Sequence, residues 1–205
     1  LHEEELNKYV YCLNIDMIGV TLGKEIAVST AENCLVNYIS YVASEVGVPL
    51  KSSQGVYSSE ASMKEKCLRK HLPINSDSAL HKIQDAIGVR IVCAFLDDVY
   101  DIRDALLHEK HYEIIREKDY IKNVKPSGYR SLHLIVKVDG YFVEFQLRTI
   151  SQDTWAALEH HMRYKKDIKG DIKLIESELK RCANELAATD ISMQTIRNMI
   201  IEEGE

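Results

Sequence analysis

The sequence predicts an α+β fold: a mixed, largely antiparallel sheet of about five strands flanked by helices, with helical N- and C-terminal extensions. Three observations predict it. In "YFVEFQLRT", Tyr141 to Thr149, apolar and polar residues alternate with the period of a strand whose faces differ. "YRSLHLIVKV" precedes it across Asp139-Gly140, a tight-turn dipeptide that joins the two runs as a hairpin. The helical pattern of "LDDVYDIRDALLHEKH" separates two further β-rich runs, "GVRIVCAF" and "YEIIRE".

The flanking elements follow from spacing. From residue 3 to about 47, Leu6, Tyr9, Val10, Leu13, Met17 and Val20 stand three and four apart, which predicts helix with a break around Gly19 to Gly23. After Gly47-Val48-Pro49, a Ser-rich loop leads into a helix from Ser59 or Glu60 to His71. Beyond the hairpin "SQDTWAALEHHMRYKK" is helical. After Gly170, "DIKLIESELKRCANEL" sets Ile172, Ile175, Leu179, Cys182 and Leu186 on one stripe, read as packing or an oligomer contact. A single domain over 1–205 is expected, with N-terminal helices in 1–47, a core in 48–166 and C-terminal helices in 167–205.

Composition narrows the function. A formal net charge of -6 argues against a surface built throughout for nucleic acid or anionic lipid, so any polyanion site must be local. Five cysteines, odd in number and without a CxxC pair, fit reduced thiols and a cytoplasmic location better than a disulfide framework. The apolar run Ile91 to Leu96 is too short to span a bilayer, and "LHEEELNKYV" carries no secretory signal, so no membrane association is expected. His160-His161 sits on a helix where neighbours diverge by about 100°, which does not make a zinc face.

The polar side of "VEFQLRT" holds Glu144, Gln146 and Arg148. It reads equally as a solvated sheet face with a cross-strand ion pair or as a ligand face. The neighbours favour the second: Tyr129, Arg130 and His133 open the hairpin partner, and "DAIGVR" offers Asp85 and Arg90 at the start of another strand. Carboxylates at the ends of adjacent strands suit magnesium, which takes hard oxygen ligands and shares phosphate oxygens with a substrate. From residue 110 to 130 the bases Lys110, Arg116, Lys118, Lys122, Lys125 and Arg130 outnumber the acids, either as a solvated run or as a phosphate cradle. Gly128 permits close backbone approach, and Tyr129 beside it offers a face on which a base can stack. That reading gives the role to the ring and none to the hydroxyl.

The set "DAIGVR", "KDYIKNVKPSGYRSLHL", "VEFQLRT" and "WAALEHHMRYK", in that order and spacing, closely resembles the synthetase domain of the RelA/SpoT family, in particular its small single-domain alarmone synthetases. The matching motifs cover about residues 50 to 165. The resemblance implies a nucleotidyltransferase-like sheet and transfer of pyrophosphate from ATP to the 3′-hydroxyl of GDP or GTP, with Mg2+ as cofactor and a homo-oligomer, tetrameric by likeness. It implies that Asp85 and Glu144 hold the metal, that Glu144 also draws the proton from the attacking hydroxyl, and that Gln146 orients the reacting groups. It places Ser62, Lys66, Arg90 and Lys118 on ATP, and Lys125, Tyr129, His133, Asp153 and Glu159 on the guanine nucleotide, with Asp153 standing where many relatives have Asn. No hydrolase domain is expected, because no upstream His-Asp pair of the HD type is present.

The chain departs from the family pattern in the ATP-side loop. Family members read Gly-Arg-x-Lys-x-x-x-Ser-x-x-x-Lys, and here Val56 and Ser58 replace the Arg and the first Lys of the frame from Gly55 to Lys66. Donor binding is therefore expected to be weaker or differently built, with Tyr57 or Lys64 as substitutes. The alternative function is a catalytically weak guanine-nucleotide or alarmone sensor. RNA binding as a main role is disfavoured by the lack of an extended basic track.

Overall fold

A computed structural model describes residues 47, 50–57, 60–108, 112–138, 141–164 and 170–202. The helices expected before Gly47, the Asp139-Gly140 turn and Ser58 lie outside the described residues. In chain order the elements are β1 (Leu50–Tyr57), α1 (Glu60–Arg69), α2 (Ser76–His81), β2 (Ile87–Cys93), α3 (Leu96–Leu107), β3 (Glu113–Asp119), β4 (Leu132–Val138), β5 (Tyr141–Thr149), α4 (Ile150–Tyr164) and α5 (Ile172–Glu202).

The sheet has five strands in the order β1-β2-β5-β4-β3. The β2–β5 pairing is parallel and the others are antiparallel, which is the mixed, largely antiparallel sheet expected from the sequence. The hairpin is in the expected register, with Val138 opposite Tyr141 and Leu134 opposite Phe145. β2 reads as an almost unbroken apolar run because it lies between two strands and under helices, so that both its faces need cover.

One sheet face is apolar. Val89, Ile91 and Cys93 of β2, Leu132, Leu134 and Val136 of β4, and Val143, Phe145 and Leu147 of β5 pack with Val99, Ile102 and Leu106 of α3 into the main core. The alternation that sends these residues inward sends His133, Glu144, Gln146 and Arg148 to the opposite face. Helix α3 starts where the Phe95 N–H donates to the Asp98 carboxylate (3.2 Å), and β3 ends where Asp119 Oδ1 accepts the N–H groups of Ile121 and Lys122 (2.9 Å each).

Two elements differ from the sequence reading, and the C-terminal stripe packs as expected over part of its length. The Ser-rich stretch expected as a loop is strand β1, antiparallel to β2 from Leu50 opposite Cys93 to Tyr57 opposite Ile87, because the open edge of β2 supplies ladder partners that its own low β-propensity does not advertise. The short helix α2, with the Asn75 side chain accepting the Ser78 N–H at 2.9 Å, was not expected from spacing. In the C-terminal stripe, Leu179, Cys182 and Leu186 pack with Ala183 against Trp155 and Ala156 of α4, whereas Ile172 is 58% exposed.

Helix α5 also fixes the loop before β4. Gly128 has φ +93, and a Cβ built on it would lie 2.7 Å from Ala183 Cβ and 3.3 Å from Lys180 Cα. Its lack of a side chain thus serves close approach of a helix rather than of a phosphate, as the sequence had suggested. Arg130 ties the same junction, donating from Nη1 to Gly128 O (3.0 Å) and Ala183 O (3.2 Å) and from Nη2 to Asn184 Oδ1 (3.0 Å). Gly128→Ala is expected to destabilise the fold by about 2–4 kcal/mol, combining left-handed strain with overpacking. Urea unfolding checks this, and adding Ala183→Gly should recover the steric share while leaving the conformational one.

Candidate active site

The polar face of the sheet is organised by β4 and β5. His133 lies opposite Gln146, and Glu144 is in register with Gly88 of β2, as Gln146 is with Arg90. Glu144, 7% exposed, accepts from two neighbours: His133 Nδ1 lies 3.0 Å from Oε1, and Gln146 Nε2 donates to Oε2 at 2.8 Å. The other imidazole nitrogen, Nε2, lies 2.9 Å from the Tyr129 hydroxyl. That hydroxyl accepts from Arg148 Nη2 at 2.7 Å. The chain thus links a guanidinium that only donates to a carboxylate that only accepts, with the Tyr129 hydroxyl and the imidazole, whose donor and acceptor roles follow its protonation, between them.

Arg148 continues the network the other way. Its Nη1 donates to Asp153 Oδ1 at 2.9 Å, and Arg90 Nε lies 3.5 Å from the same oxygen. Asp153 on α4 is therefore a bridge between two guanidiniums. Burial, together with repulsion from Arg148, lowers the pKa of the Arg90 guanidinium, against the attraction of Asp153. Arg90 Nε makes no hydrogen bond.

A basic and aromatic rim closes the other side. Lys125 Nζ stands 4.2 Å from the Tyr120 ring centroid and 4.7 Å from that of Tyr129, in cation–π range of both. Crowding by the surrounding residues and then the charge of Lys118 lower the pKa of its ammonium, opposed by Glu144 and Glu159. Lys118, Lys125, Glu144 and Glu159 thus share one field. The Tyr120 ring meets Tyr129 and His133 edge-on, at 6.1 and 5.4 Å between centroids.

Ser62, Lys66 and Asp85 form a second group. Ser62 and Lys66 are one helical turn apart on α1. Lys66 Nζ reaches both Asp85 Oδ2 (2.8 Å) and Asp85 O (3.0 Å), which ties α1 to the chain entering β2. The residue assigned to ATP phosphate and one assigned to metal are thus partners of each other.

Other expectations separate. Of the basic run, Arg130 belongs to the α5 junction, and Lys122 turns to the Tyr100 ring (4.6 Å) and to Asp119. Asp153 and Glu159 stand about 120° apart around α4, so Asp153 meets the arginines while Glu159 faces the Lys125 field. Position 56 lies in β1 opposite Gly88. Arg148 received no role from the sequence, although its place on the same face as Glu144 and Gln146 was the signal that could have found it.

The donor chemistry fits magnesium. Asp85 and Glu144 supply hard oxygens, and among the described residues no group of three or more His, Cys, Asp or Glu is arranged to hold a metal by itself. Magnesium takes one or two carboxylates and draws its other ligands from phosphate and water. Among the described residues no helix is long and apolar enough to cross a membrane.

Residues 57–169 match the family region described as found in RelA / SpoT proteins. The chain is 35% identical over 161 residues to the GTP pyrophosphokinase YwaC of Bacillus subtilis, covering 74% of this chain and 76% of that protein. It is 33% identical over 163 residues to the GTP pyrophosphokinase YjbM of the same organism, covering 75% of each. Its fold resembles the crystal structure of small alarmone synthetase 1 from Bacillus subtilis bound to its product pppGpp, with a TM-score of 0.74 and 28% identity over 84% of this chain and 94% of that one.

Two predictions follow from the geometry. Tyr129→Phe should cost about 1–3 kcal/mol of stability in urea unfolding, because it strands the buried Arg148 and His133 partners of the hydroxyl. Burial pushes the Glu144 carboxyl up, but the His133 hydrogen bond and charge, Gln146 and Lys118 outweigh it and hold it at about 2, from an ordinary value of 4.5. A depressed carboxyl stabilises the fold fully above pH 4.5 and loses that contribution as pH falls through about 2. The stability advantage of the native protein over Glu144→Gln should therefore shrink by on the order of 3 kcal/mol across that window, read from unfolding at each pH.

Proposed function

The chain belongs to the RelA/SpoT family and works as a GTP pyrophosphokinase, and we propose how its residues divide that reaction. Pyrophosphate passes from ATP to the 3′-hydroxyl of GDP or GTP to give (p)ppGpp, the alarmone of the stringent response. The observation that carries the assignment is the continuous hydrogen-bonded chain from Arg148 to Glu144, set on the polar sheet face between arginines and lysines.

In this reading the 3′-oxygen attacks the β-phosphorus of ATP in line, the new O–P bond forms as the bond to the α-phosphate bridge breaks, and AMP leaves. Arg90 and Lys118, with Ser62 and Lys66 on α1, hold the donor. Tyr129 stacks the guanine, Lys125 and His133 take acceptor phosphates, Asp153 and Glu159 border the acceptor, and Gln146 orients the reacting groups. Asp85 and Glu144 would hold magnesium, which would supply charge neutralisation on the phosphates. Glu144 receives the proton of the attacking hydroxyl. In the substrate-free protein His133 and Gln146 stabilise its ionised form, which makes it a weak base. An acceptor phosphate that draws His133 away would remove the largest of the influences that hold this carboxyl down.

The soluble substrates and the free thiols of Cys67, Cys93 and Cys182 support a cytoplasmic setting. A homo-oligomer, tetrameric by family resemblance, is supported by the exposed Ile191, Met193, Ile196 and Met199 of α5.

The test is incubation with magnesium, labelled ATP and GDP, GTP or GMP in turn, followed by separation of products. The native protein should yield AMP and a 3′-pyrophosphorylated nucleotide, and Glu144→Gln should lower the rate by about 10²–10⁴. Turnover above about a tenth in that variant removes Glu144 from the chemistry. Guanine-nucleotide binding without any product in the native protein favours the sensor reading. Val56→Arg, next to Gly88 in the β1–β2 register, should lower the Michaelis constant for ATP about tenfold and leave that for the guanine nucleotide unchanged. Unchanged ATP kinetics in the folded variant means that the donor is held by other residues.

A further inference from the structure

We propose that Arg148 is a positioning residue of the transfer reaction, acting through Tyr129, Gln146 and Asp153 rather than by touching either nucleotide. The proposal rests on the pyrophosphokinase reading for its kinetic consequences, but not for its geometry.

Arg148 is 5% exposed, which leaves little of it for a ligand. Four of its five N–H donors are committed to the protein: Nε to Ser131 Oγ (3.3 Å), Nη1 to Asp153 Oδ1 (2.9 Å), and Nη2 to Tyr129 OH (2.7 Å) and Gln146 Oε1 (3.4 Å). Each partner is a site residue or sits between strands that carry one. Ser131 in turn donates to Leu147 O at 3.2 Å, so the guanidinium is braced against the β4–β5 ladder.

Three orientations follow. The Tyr129 ring is held by its hydroxyl at one end and by the guanidinium 5.3 Å from its centroid, while Trp155 packs at 6.5 Å. The Gln146 amide has one sense only, with its oxygen toward Arg148 and its nitrogen toward Glu144. Asp153, shared with Arg90, is set between the two guanidiniums. One rigid planar fork thus fixes an acceptor platform, a reacting-group amide and a donor-side arginine.

The test uses Arg148→Met, Arg148→Lys and the native chain, with two readouts. The first is the ¹³Cζ resonance of Tyr129 in the nucleotide-free protein. The second is kcat and KM for ATP and for the guanine nucleotide. Arg148→Met should move the Tyr129 resonance and lower kcat about tenfold to a hundredfold, with smaller changes in both KM values, as expected when groups are misaligned rather than removed. Arg148→Lys, which keeps a donor, should restore part of each. A folded Arg148→Met with native kcat and an unmoved resonance overturns the proposal, as does a raised KM with resonance and kcat unchanged, which marks direct contact with substrate. Where Arg148→Met does not fold, a cycle of Arg148→Lys with Tyr129→Phe decides: losses in kcat that fail to add support the shared route, and additive losses overturn it. A native protein that makes no product refutes the pyrophosphokinase reading alone, and the resonance still decides whether Arg148 positions Tyr129.

Discussion

A guanidinium buried in the polar face of a sheet constrains everything around it. Arg148 cannot shed its charge, and an unpaired buried charge costs several kcal/mol, so the surrounding residues must present acceptors. Asp153, Tyr129, Gln146 and Ser131 do so from β5, α4 and the chain entering β4. Replacing a whole buried ion pair by well-packed apolar residues is often tolerated energetically, which makes the Arg148–Asp153 pair a poor device for stability alone. What it gives is a single arrangement. A donor fixed at one end and the Glu144 carboxylate at the other hold the hydroxyl and imidazole in line between them.

That arrangement is possible because the two faces of the sheet have been divided. Helix α3 takes the apolar face, and the main core is complete without any residue from the polar one. The polar face is walled instead by α4, through Trp155 and Ala156, and α4 is backed by α5. Trp155 Nε1 donates to Leu179 O at 2.8 Å, and the Thr149 hydroxyl donates to Asp190 at 2.6 Å, so α5 grips both ends of the β5–α4 connection. The loop carrying Lys125 and Tyr129 is pressed onto the same helix through Gly128 and Arg130. Loop and wall therefore share one support, and the position of Tyr129 relative to Asp153 follows from the packing of α5.

Sequence periodicity made much of this legible. The β4–β5 hairpin, α3 and the polar alternation of Glu144, Gln146 and Arg148 were readable because a half-buried strand must alternate and an amphipathic helix must repeat. Strand β1 was not, because a Ser-rich segment becomes a strand only when a neighbour offers an edge, a fact located in β2 and not in residues 50–57. The basic loop misled for a related reason. Arg130, Lys122 and Lys125 look alike in one dimension, yet one docks a helix, one covers Tyr100 and one rims the site. Gly128 was read as room for a phosphate when the room is for Ala183. Arg148 stayed silent because its significance is the count of its partners, which come from places as far apart in sequence as Tyr129 and Asp153.

The same geometry accounts for how an acidic chain can serve polyphosphate substrates. With a net charge of -6 the far field repels a nucleotide polyanion, and screening at physiological salt confines that repulsion to roughly 8 Å. Attraction must therefore be short-ranged. Arg90, Lys118 and Lys125 are the cations proposed to supply it; burial first, and then the neighbouring cations Arg148 and Lys118, lower the pKa values of Arg90 and Lys125. Asp153 and Glu159 offset that repulsion while the site is empty of substrate. In the proposed reaction an arriving phosphate would take over the role of these carboxylates and complete the charge balance. The proposed site thus sets partly neutralised cations inside a protein whose overall charge discourages non-specific anions.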